Sequence, residues 1–299
     1  MTVPLVSIVL PTFNRPQLLR LTLDSVFTQS LRDFELIIAD DGSDEETRTL
    51  VRAVASRPAV TVLELPHSGI LPVVRNAALA AARGEYVAFL DSDDLWMPDK
   101  LERQLAELRS GAPGDWSYTA FTCIDADGAR LPGDVQRKWY PHRGDILREA
   151  ISGDVSIRLP TVIARRDLVA RAGGFDEEVR TEIDLWIRMA ALSPIQVIDA
   201  PLAAIRTHAQ NFSANWRSAY ARRDRSLHKL ESHFDAATGR LLRQARVRNC
   251  LALAGEHAAR CGFAATASGW WSGARYSWNH LVWWAGGARV MTHALLRRP

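Results

Sequence analysis

Apolar runs alternate with helical patterns along the first ninety residues of the chain. Four runs have the length and composition of buried strands: LVSIVL at 5–10, FELIIA at 34–39, VTVLEL at 60–65 and YVAFL at 86–90. Three segments between them have helical patterns: one that opens at Pro16, one at 45–55 and one at 70–83. This alternation is typical of βαβ units on a parallel sheet with right-handed crossovers. We therefore predict an α/β fold with a mostly parallel central sheet flanked by helices.

Polar residues gather where three of these strands end. PTFNR (11–15) follows the first strand, DDGSDEET (40–47) the second and DSDD (91–94) the fourth. The carboxyl ends of parallel strands meet at one edge of the sheet, where ligands bind in folds of this kind. Taken alone, DDGS also fits an ordinary turn and helix cap. Three polar strand ends at one edge favour a binding site.

Three carboxylates, those of Asp91, Asp93 and Asp94, come directly after a buried run. Because carboxylates this close repel one another, a cation is expected beside them. Paired carboxylates can hold Mg²⁺ or Mn²⁺, which in turn bridges the oxygens of a diphosphate. Neither GxGxxG nor GxxxxGK[ST] occurs, so phosphate must be held without a glycine loop, and Arg75 could face it. We expect an external ion here rather than internal arginines.

The charge of the chain divides it into two parts. Residues 1–214 contain 23 basic and 30 acidic residues, whereas residues 215–299 contain 14 basic and 4 acidic residues. The second part also holds six of the ten tryptophans. We therefore predict one domain at 1–214 and a mainly α-helical, basic, Trp-rich region at 215–299.

The end of the chain combines tryptophan and arginine at helical spacing, from Trp270 through Trp278 to Ala285. This pattern suits a helix that rests on anionic lipid, or one that packs on the catalytic domain or a second subunit, and both alternatives stay open. Arg275, Arg289 and the glycines at 286–287 argue against a transmembrane segment. The arginines follow no recognised nucleic-acid motif, so no nucleic-acid partner is expected.

The start of the chain and its cysteines bear on location. MTVPLVSIVLPTF lacks a basic leader and its apolar run stops at Pro11, so it reads as a strand and not as a signal peptide. Cys123, Cys250 and Cys261 form an odd, unspaced set that argues against a disulfide framework. We expect a cytoplasmic protein, with association with the inner face of the cytoplasmic membrane as an open alternative.

Three blocks of the sequence resemble those of the family 2 inverting glycosyltransferases of the GT-A fold. They are VSIVLPTFNRPQLLRLTLDSVFTQS, LIIADDGSDEET and RNAALAAARGEYVAFLDSDDLWMPDKL, and the resemblance runs from about residue 5 to 214. It implies a Rossmann-like sheet and a nucleoside-diphosphate sugar donor. It assigns donor contacts to Pro11, Thr12, Asn14, Arg15, Asp40 or Asp41, Arg75 and Ser92. It assigns the metal, Mn²⁺ or Mg²⁺, to Asp91 and Asp93, with Asp94 as an alternative ligand.

Two further blocks resemble the acceptor side of the family. In GGFDEEVRTEIDLWIRMA (173–190), the usual position of the base falls on Glu182 where relatives have Asp, which leaves open whether Glu182 or Asp184 takes the proton. In AAIRTHAQNFS (203–213), His208 could complete the metal shell or contact a phosphate. The other histidines, including His67, stand outside any motif.

The resemblance implies a metal-dependent transfer of a sugar to a hydroxyl acceptor, with inversion. The acceptor would be a saccharide or a lipid-linked saccharide in cell-surface polysaccharide or glycolipid synthesis. The alternative is a nucleotide-sugar-binding protein or sugar nucleotidyltransferase of similar fold. A nucleotidyltransferase should carry a GxGxR loop after the first strand, and PTFNRP lacks it.

Overall fold

The structure is a computed structural model, which describes residues 3–131, 141–207 and 216–261. Within these residues one sheet contains eight strands: β1 (Val6–Thr12), β2 (Phe34–Asp40), β3 (Val60–Glu64), β4 (Tyr86–Phe89), β5 (Leu95–Trp96), β6 (Trp116–Ile124), β7 (Ile163–Arg165) and β8 (Ile195–Arg206). Their order across the sheet is β3-β2-β1-β4-β7-β6-β8-β5.

Helices cover and connect these strands. In chain order they are α1 (Pro16–Phe27), α2 (Glu45–Ala55), α3 (Leu71–Ala81), α4 (Lys100–Leu108), α5 (Leu147–Ser152), α6 (Arg166–Arg171), α7 (Ile183–Ala190), α8 (Trp216–Leu230) and α9 (Ala236–Cys261). A short 3-10 helix lies at Leu159–Thr161. The predicted α/β fold, with a helical region at its C-terminal end, is confirmed.

The first half of the sheet is parallel, as the alternation of strands and helices predicts. β1 pairs in parallel with β2 and β4, and β2 pairs in parallel with β3. Every residue of β1 is buried, and so is every residue of β2 after Phe34, because helices cover both faces of the sheet. The carboxyl ends of β1, β2, β3 and β4 therefore meet at one edge.

The second half of the sheet is mixed. β7 pairs antiparallel with β4 and β6, β6 pairs in parallel with β8, and β5 pairs antiparallel with β8. β1 continues through Pro11 to Thr12, beyond the run that the sequence predicts, because Pro11 and Thr12 stay in register with Ala39 and Asp40. β5 has only two residues, which is too short for a recognisable sequence pattern. It is a strand only because it pairs with β8.

A buried lysine lies at the start of α4. Lys100 is fully buried, and its ammonium lies 4.3 Å from the centre of the Trp96 ring, with no hydrogen-bond partner among the described residues. Burial lowers the pKa of Lys100 well below its usual value. The Trp96 indole donates to the carbonyl of Pro160 at 2.7 Å. These contacts fix the segment that follows the DSDD residues.

The chain divides into two compact units, Met1–Ala150 with Val155–Asn211, and Ile151–Asp154 with Phe212–Pro299. In the second unit α8 and α9 pack together, with Leu227, Leu230 and Leu242 buried. Arg246 on α9 forms ion pairs with Asp224 at 3.1 Å and Glu231 at 2.8 Å. None of the helices in the described ranges has the length and apolar character needed to cross a membrane. The predicted boundary at residue 214 stays a prediction.

Candidate active site

The acidic loop after β4 is held by its own backbone and by α1. The amide of Asp94 donates to the carbonyl of Asp91 at 3.2 Å, which closes a turn over residues 91–94. The hydroxyl of Thr22 on α1 donates to the carbonyl of Asp94 at 2.9 Å. Ser92 is buried within this turn. The loop therefore presents its carboxylates from a fixed backbone.

Two arginines from other elements pair with this loop. Arg15, just before α1, contacts Asp93 through Nη1 and Oδ2 at 2.5 Å. Arg75 on α3 contacts Asp91 through Nη2 and Oδ1 at 2.6 Å. The expectation that an external ion is needed to balance these charges is therefore wrong, because internal guanidinium groups supply opposite charge. A metal ion at this loop would share these carboxylates with the two arginines or replace them.

Asp94 differs from the other two aspartates because it is bound to the backbone of β8. Its Oδ1 accepts from the amide of Arg206 at 2.8 Å. Burial, and then the carboxylates of Asp93 and Asp91, raise the pKa of Asp94 well above its usual value. The Arg206 side chain is buried too and donates to the carbonyls of Asp93, Asp125 and Ala126 at 2.8–3.0 Å. This arrangement anchors the acidic loop to β8 and to the turn after β6.

The ends of β1 and β2 are joined by polar contacts. Asn14 has a left-handed backbone with φ +48°, and its amide donates to Ser43 Oγ at 3.0 Å. Its side chain accepts from the amide of Asp44 at 2.7 Å. Asp44 caps α2 by accepting from the amide of Thr47 at 2.9 Å. The DDGSD segment is thus a helix cap, as its sequence allows, and it also lies at the common edge of the strands.

Asp40 and Asp41 face different partners at this edge. Asp40 is buried and accepts from the amide of Ser43 at 3.2 Å. Asp41 accepts from the amide and hydroxyl of Ser68 at 2.8 and 2.9 Å and from the amide of Gly69 at 3.0 Å. The carboxylate of Asp41 therefore fixes the turn after β3. The contact of Asp40 or Asp41 with a nucleobase stays a prediction.

His67 belongs to this edge, although the sequence reasoning placed it outside any motif. Its Nδ1 lies 2.8 Å from the carbonyl of Asp41 and 3.1 Å from Asp41 Oδ2. Its ring stacks on Phe13 with centroids 4.3 Å apart and planes inclined by 16°. Its position in the sequence is the signal that could have identified it. HSG (67–69) follows the third strand, just as the other polar segments follow the first, second and fourth strands.

Two of the residues predicted to contact the sugar donor have a buried polar atom that makes no hydrogen bond within the described residues. Thr12 ends β1, and its Oγ1 is buried with no hydrogen-bond partner in the described part of the chain. The same is true of Nε of Arg75, whose side chain is 6% exposed. Pro11 lies next to Thr12 in β1. Because unsatisfied buried groups are costly, these atoms are suited to a ligand at this edge.

Glu182 and Asp184 lie at the start of α7 in different surroundings. Asp184 is buried, and its Oδ2 accepts from Arg188 Nη2 at 2.5 Å. Burial raises the pKa of Asp184, and Arg188 opposes part of that rise. Glu182 occupies the N-cap position, is half-buried, and makes no side-chain cap hydrogen bond. Of the two residues, Glu182 is the more exposed, and which of them takes the proton stays open.

His208 lies outside the described residues, as does Asn211. The described part of β8 ends at Arg206, just before them. The assignment of His208 to a metal or phosphate therefore stays a prediction.

Comparison with known proteins identifies the family. A family model described as "Glycosyl transferase family 2" matches residues 7–166. The chain belongs to glycosyl transferase family 2, and it is a glycosyltransferase. The putative teichuronic acid biosynthesis glycosyltransferase TuaG of Bacillus subtilis is 34% identical over 176 residues, which are 55% of this chain and 69% of that protein. Chondroitin synthase of Escherichia coli is 36% identical over 214 residues, 71% of this chain and 30% of that protein.

Solved structures agree on the fold. TarS 1–349 of S. aureus has a TM-score of 0.66 at 18% identity and covers 96% of this chain and 89% of that one. The mannosyltransferase PcManGT of Pyrobaculum calidifontis, in complex with GDP-Man and Mn²⁺, has a TM-score of 0.59 at 22% identity and covers 99% and 87%. This glycosyltransferase spans 69% of TuaG but only 29–33% of three Rickettsia relatives.

The carboxylates of this glycosyltransferase fit a metal ion that is held jointly by the protein and a bound ligand, rather than one held by protein side chains alone. No group of three or more His, Cys, Asp or Glu side chains is arranged to hold a metal within the residues described. Mg²⁺ is commonly held by one or two carboxylates together with substrate phosphates. Asp91 and Asp93 supply such oxygens from one loop, and their side chains are 29% and 11% exposed. They fit an ion that a bound diphosphate completes.

Arg206→Met tests how the acidic loop is anchored. We expect the free energy of unfolding to fall by at least about 3 kcal/mol, because three backbone carbonyls lose a charged donor. Urea denaturation measures the change. The control is Arg103→Met, which removes an exposed pair with Asp99 on α4 and should stay within about 0.5 kcal/mol of the parent. Equal stabilities for the two variants would contradict the anchoring role.

Proposed function

We propose that this glycosyltransferase transfers a sugar from a nucleoside-diphosphate sugar to a hydroxyl acceptor with inversion, with the help of Mn²⁺ or Mg²⁺. The observation that carries the proposal is the pairing of Asp91 and Asp93 with Arg75 and Arg15 at the common edge of the parallel strands. Carboxylates there suit a divalent ion, and guanidinium groups suit a diphosphate. The neighbouring structures in complex with UDP, UDP-GlcNAc, and GDP-Man with Mn²⁺ support such a donor.

The donor side would be read by groups already at this edge. Arg75 and Arg15 would donate to the phosphate oxygens once they leave the aspartates, and Arg75 has an unpartnered Nε for this purpose. Asp91 and Asp93 would hold the metal ion, which when bound would neutralise charge on the leaving diphosphate. Thr12, Asn14 and Asp40 or Asp41 would line the nucleoside. Asp94 would act mainly by holding the loop.

The acceptor side would be served by Glu182. Its carboxylate would take the proton of the acceptor hydroxyl, whose oxygen would attack the anomeric carbon from the face opposite the diphosphate. The new bond to the acceptor oxygen would form as the bond to the diphosphate oxygen breaks, which releases the nucleoside diphosphate. One displacement inverts the anomeric centre. Asp184 would support α7 through Arg188 rather than take the proton.

The product would be a cell-surface polysaccharide. The support is the relatives: the TuaG name refers to teichuronic acid, and others are named hyaluronan synthase and chondroitin synthase. A saccharide or a lipid-linked saccharide would be the acceptor. Membership of the family argues against the alternative of a nucleotidyltransferase or a silent binding protein.

The second unit would bring the enzyme to the inner face of the cytoplasmic membrane. The Trp-rich stretch that motivates this prediction lies outside the described residues, but Arg225 on α8 and Arg240 and Arg248 on α9 are exposed. Exposed arginines are attracted to anionic lipid.

Flotation with phosphatidylglycerol vesicles tests this attraction. It should recover the full chain and lose the variant in which Arg225, Arg240 and Arg248 are all changed to Gln. The same change at exposed Arg20, Arg32 and Arg57 is the control, and equal recovery of both variants would contradict the proposal.

Glu182→Gln tests the base. We expect the transfer rate to fall roughly 100- to 10,000-fold, because the amide cannot take the proton. The affinity for the nucleoside diphosphate should stay within about twofold, measured by calorimetry with Mn²⁺ and UDP or GDP. Asp184→Asn should instead lower the free energy of unfolding by roughly 1 to 3 kcal/mol through its contact with Arg188. Normal turnover in Glu182→Gln would remove Glu182 as the base.

Arg15→Gln tests the competition between arginine and metal. Without nucleotide, we expect Mn²⁺ to bind roughly fivefold more tightly, because loss of a half-buried ion pair is worth about 1 kcal/mol. With Mn²⁺ present, the nucleoside diphosphate should bind more weakly, since a phosphate donor is gone. Electron paramagnetic resonance titration of free Mn²⁺ measures the first effect. Arg20→Gln on the exposed face of α1 removes the same charge and is the control, and equal Mn²⁺ affinities would exclude competition at Asp93.

A further inference from the structure

The loop at 172–177, between α6 and α7, is held by side chains from two helices. Gly173 and Gly174 have left-handed backbones with φ +85° and +66°. A Cβ at Gly174 would lie 3.0 Å from Asn76 Oδ1 on α3, so both backbone conformation and close approach favour glycine there. The loop therefore follows one path against α3.

Asn76 forms a two-way amide pair with the loop backbone. Its Nδ2 donates to the carbonyl of Phe175 at 2.9 Å, and its Oδ1 accepts from the amide of Phe175 at 3.0 Å. Nδ2 also donates to Glu177 Oε1 at 3.1 Å. A primary amide can satisfy both backbone groups of one residue, whereas Asp lacks the donor and Gln is longer by one methylene. The residue type at position 76 therefore matches this contact.

The other side of the loop is bound to α7. Arg188 donates to the carbonyls of Ala172 and Gly174, the latter at 2.9 Å, and is oriented by its pair with Asp184. α7 begins directly after Glu182. The loop and the proposed base are therefore attached to the same short helix, and a shift of one should move the other.

The Phe175 side chain connects this loop to the donor side. It is buried, with its ring edge-to-face against Phe89, the last residue of β4, at 5.4 Å. The Arg75 guanidinium lies 5.3 Å from the same ring while its Nη2 pairs with Asp91. Phe175 thus contacts the elements that carry the donor-side groups, and Asn76 fixes its backbone.

We propose that Asn76 is a positioning residue for the transfer step. By fixing the backbone of Phe175, it holds the 172–177 loop and α7 so that Glu182 stands at a set place relative to Arg75 and Asp91. The proposal rests on the proposed function, with Glu182 as the base. Misplacement of a reacting group by about 1 Å can lower a rate 100-fold, so a non-reacting amide at this point controls the rate.

A double-mutant cycle tests this role in the full chain. Asn76→Ala should lower kcat for transfer roughly 10- to 100-fold while the Kd for the nucleoside diphosphate with Mn²⁺ stays within about twofold. In the Glu182→Gln background, Asn76→Ala should have no further effect on the residual rate, because there is no base left to position. Asn76→Asp keeps the acceptor for the Phe175 amide and should show a loss in the same direction, which covers a failure of the alanine variant to fold.

The matched control is Asn249→Ala. Asn249 is a buried asparagine of the second unit that donates to the carbonyl of Tyr220 at 2.9 Å, so its removal costs stability without touching the loop. Its effect on kcat should be small in both backgrounds. The positioning role alone would be overturned by either of two results. One is that Asn76→Ala lowers the residual rate of Glu182→Gln by the same factor as it lowers the rate of the parent. The other is that Asn76→Ala raises the Kd for the nucleoside diphosphate by the same factor as it lowers kcat. Full turnover in Glu182→Gln would overturn the proposed base as well, so the two failures are distinguishable.

Discussion

The site depends on how three aspartates at the end of a buried strand are kept stable. Asp91, Asp93 and Asp94 stand within four residues, and their mutual repulsion would destabilise the fold if nothing opposed it. The guanidinium groups of Arg15 and Arg75 reach Asp93 and Asp91 from the start of α1 and from α3, and the backbone amide of Arg206 on β8 donates to Asp94. These partners come from separate elements, so the acids gain them only when the sheet and its helices are assembled.

The three aspartates have different exposures, and this divides their roles. Asp94 is bound by the backbone of β8 and lies deepest, so it serves the shape of the loop. Asp91 and Asp93 pair instead with the guanidinium groups of Arg75 and Arg15. Such pairs bring positive charge to the carboxylates and hold them in place without a ligand. In the proposed mechanism, a metal ion would take the place of the arginines beside the aspartates, and a diphosphate would take the place of the aspartates beside the arginines. Joint binding of the two would then be more favourable than binding of either alone.

The sequence predicts which strand ends form the donor side of the site, but it does not predict the long-range contacts that join them. The parallel order of β1, β2 and β4 follows from local patterns, and it alone brings residues 11–15, 40–47 and 91–94 to one edge. The ion pair of Arg15 with Asp93 spans 78 positions and the hydrogen bond from the Arg206 backbone amide to Asp94 spans 112, and no local pattern signals either contact. Similarly, β5 exists only through pairing with β8. Asp184 and Arg188, in contrast, are four apart on a helix, and that spacing by itself predicts their ion pair.

The central claim is that Asp91 and Asp93 exchange their arginines for a metal ion bound to a diphosphate. Anomalous scattering from crystals grown with MnCl₂ and UDP or GDP tests it directly. A manganese peak in contact with both carboxylates, with Arg15 turned to a phosphate oxygen, is the result expected. A bound nucleotide with no manganese beside it, and with Arg15 and Arg75 still on the aspartates, would contradict the claim.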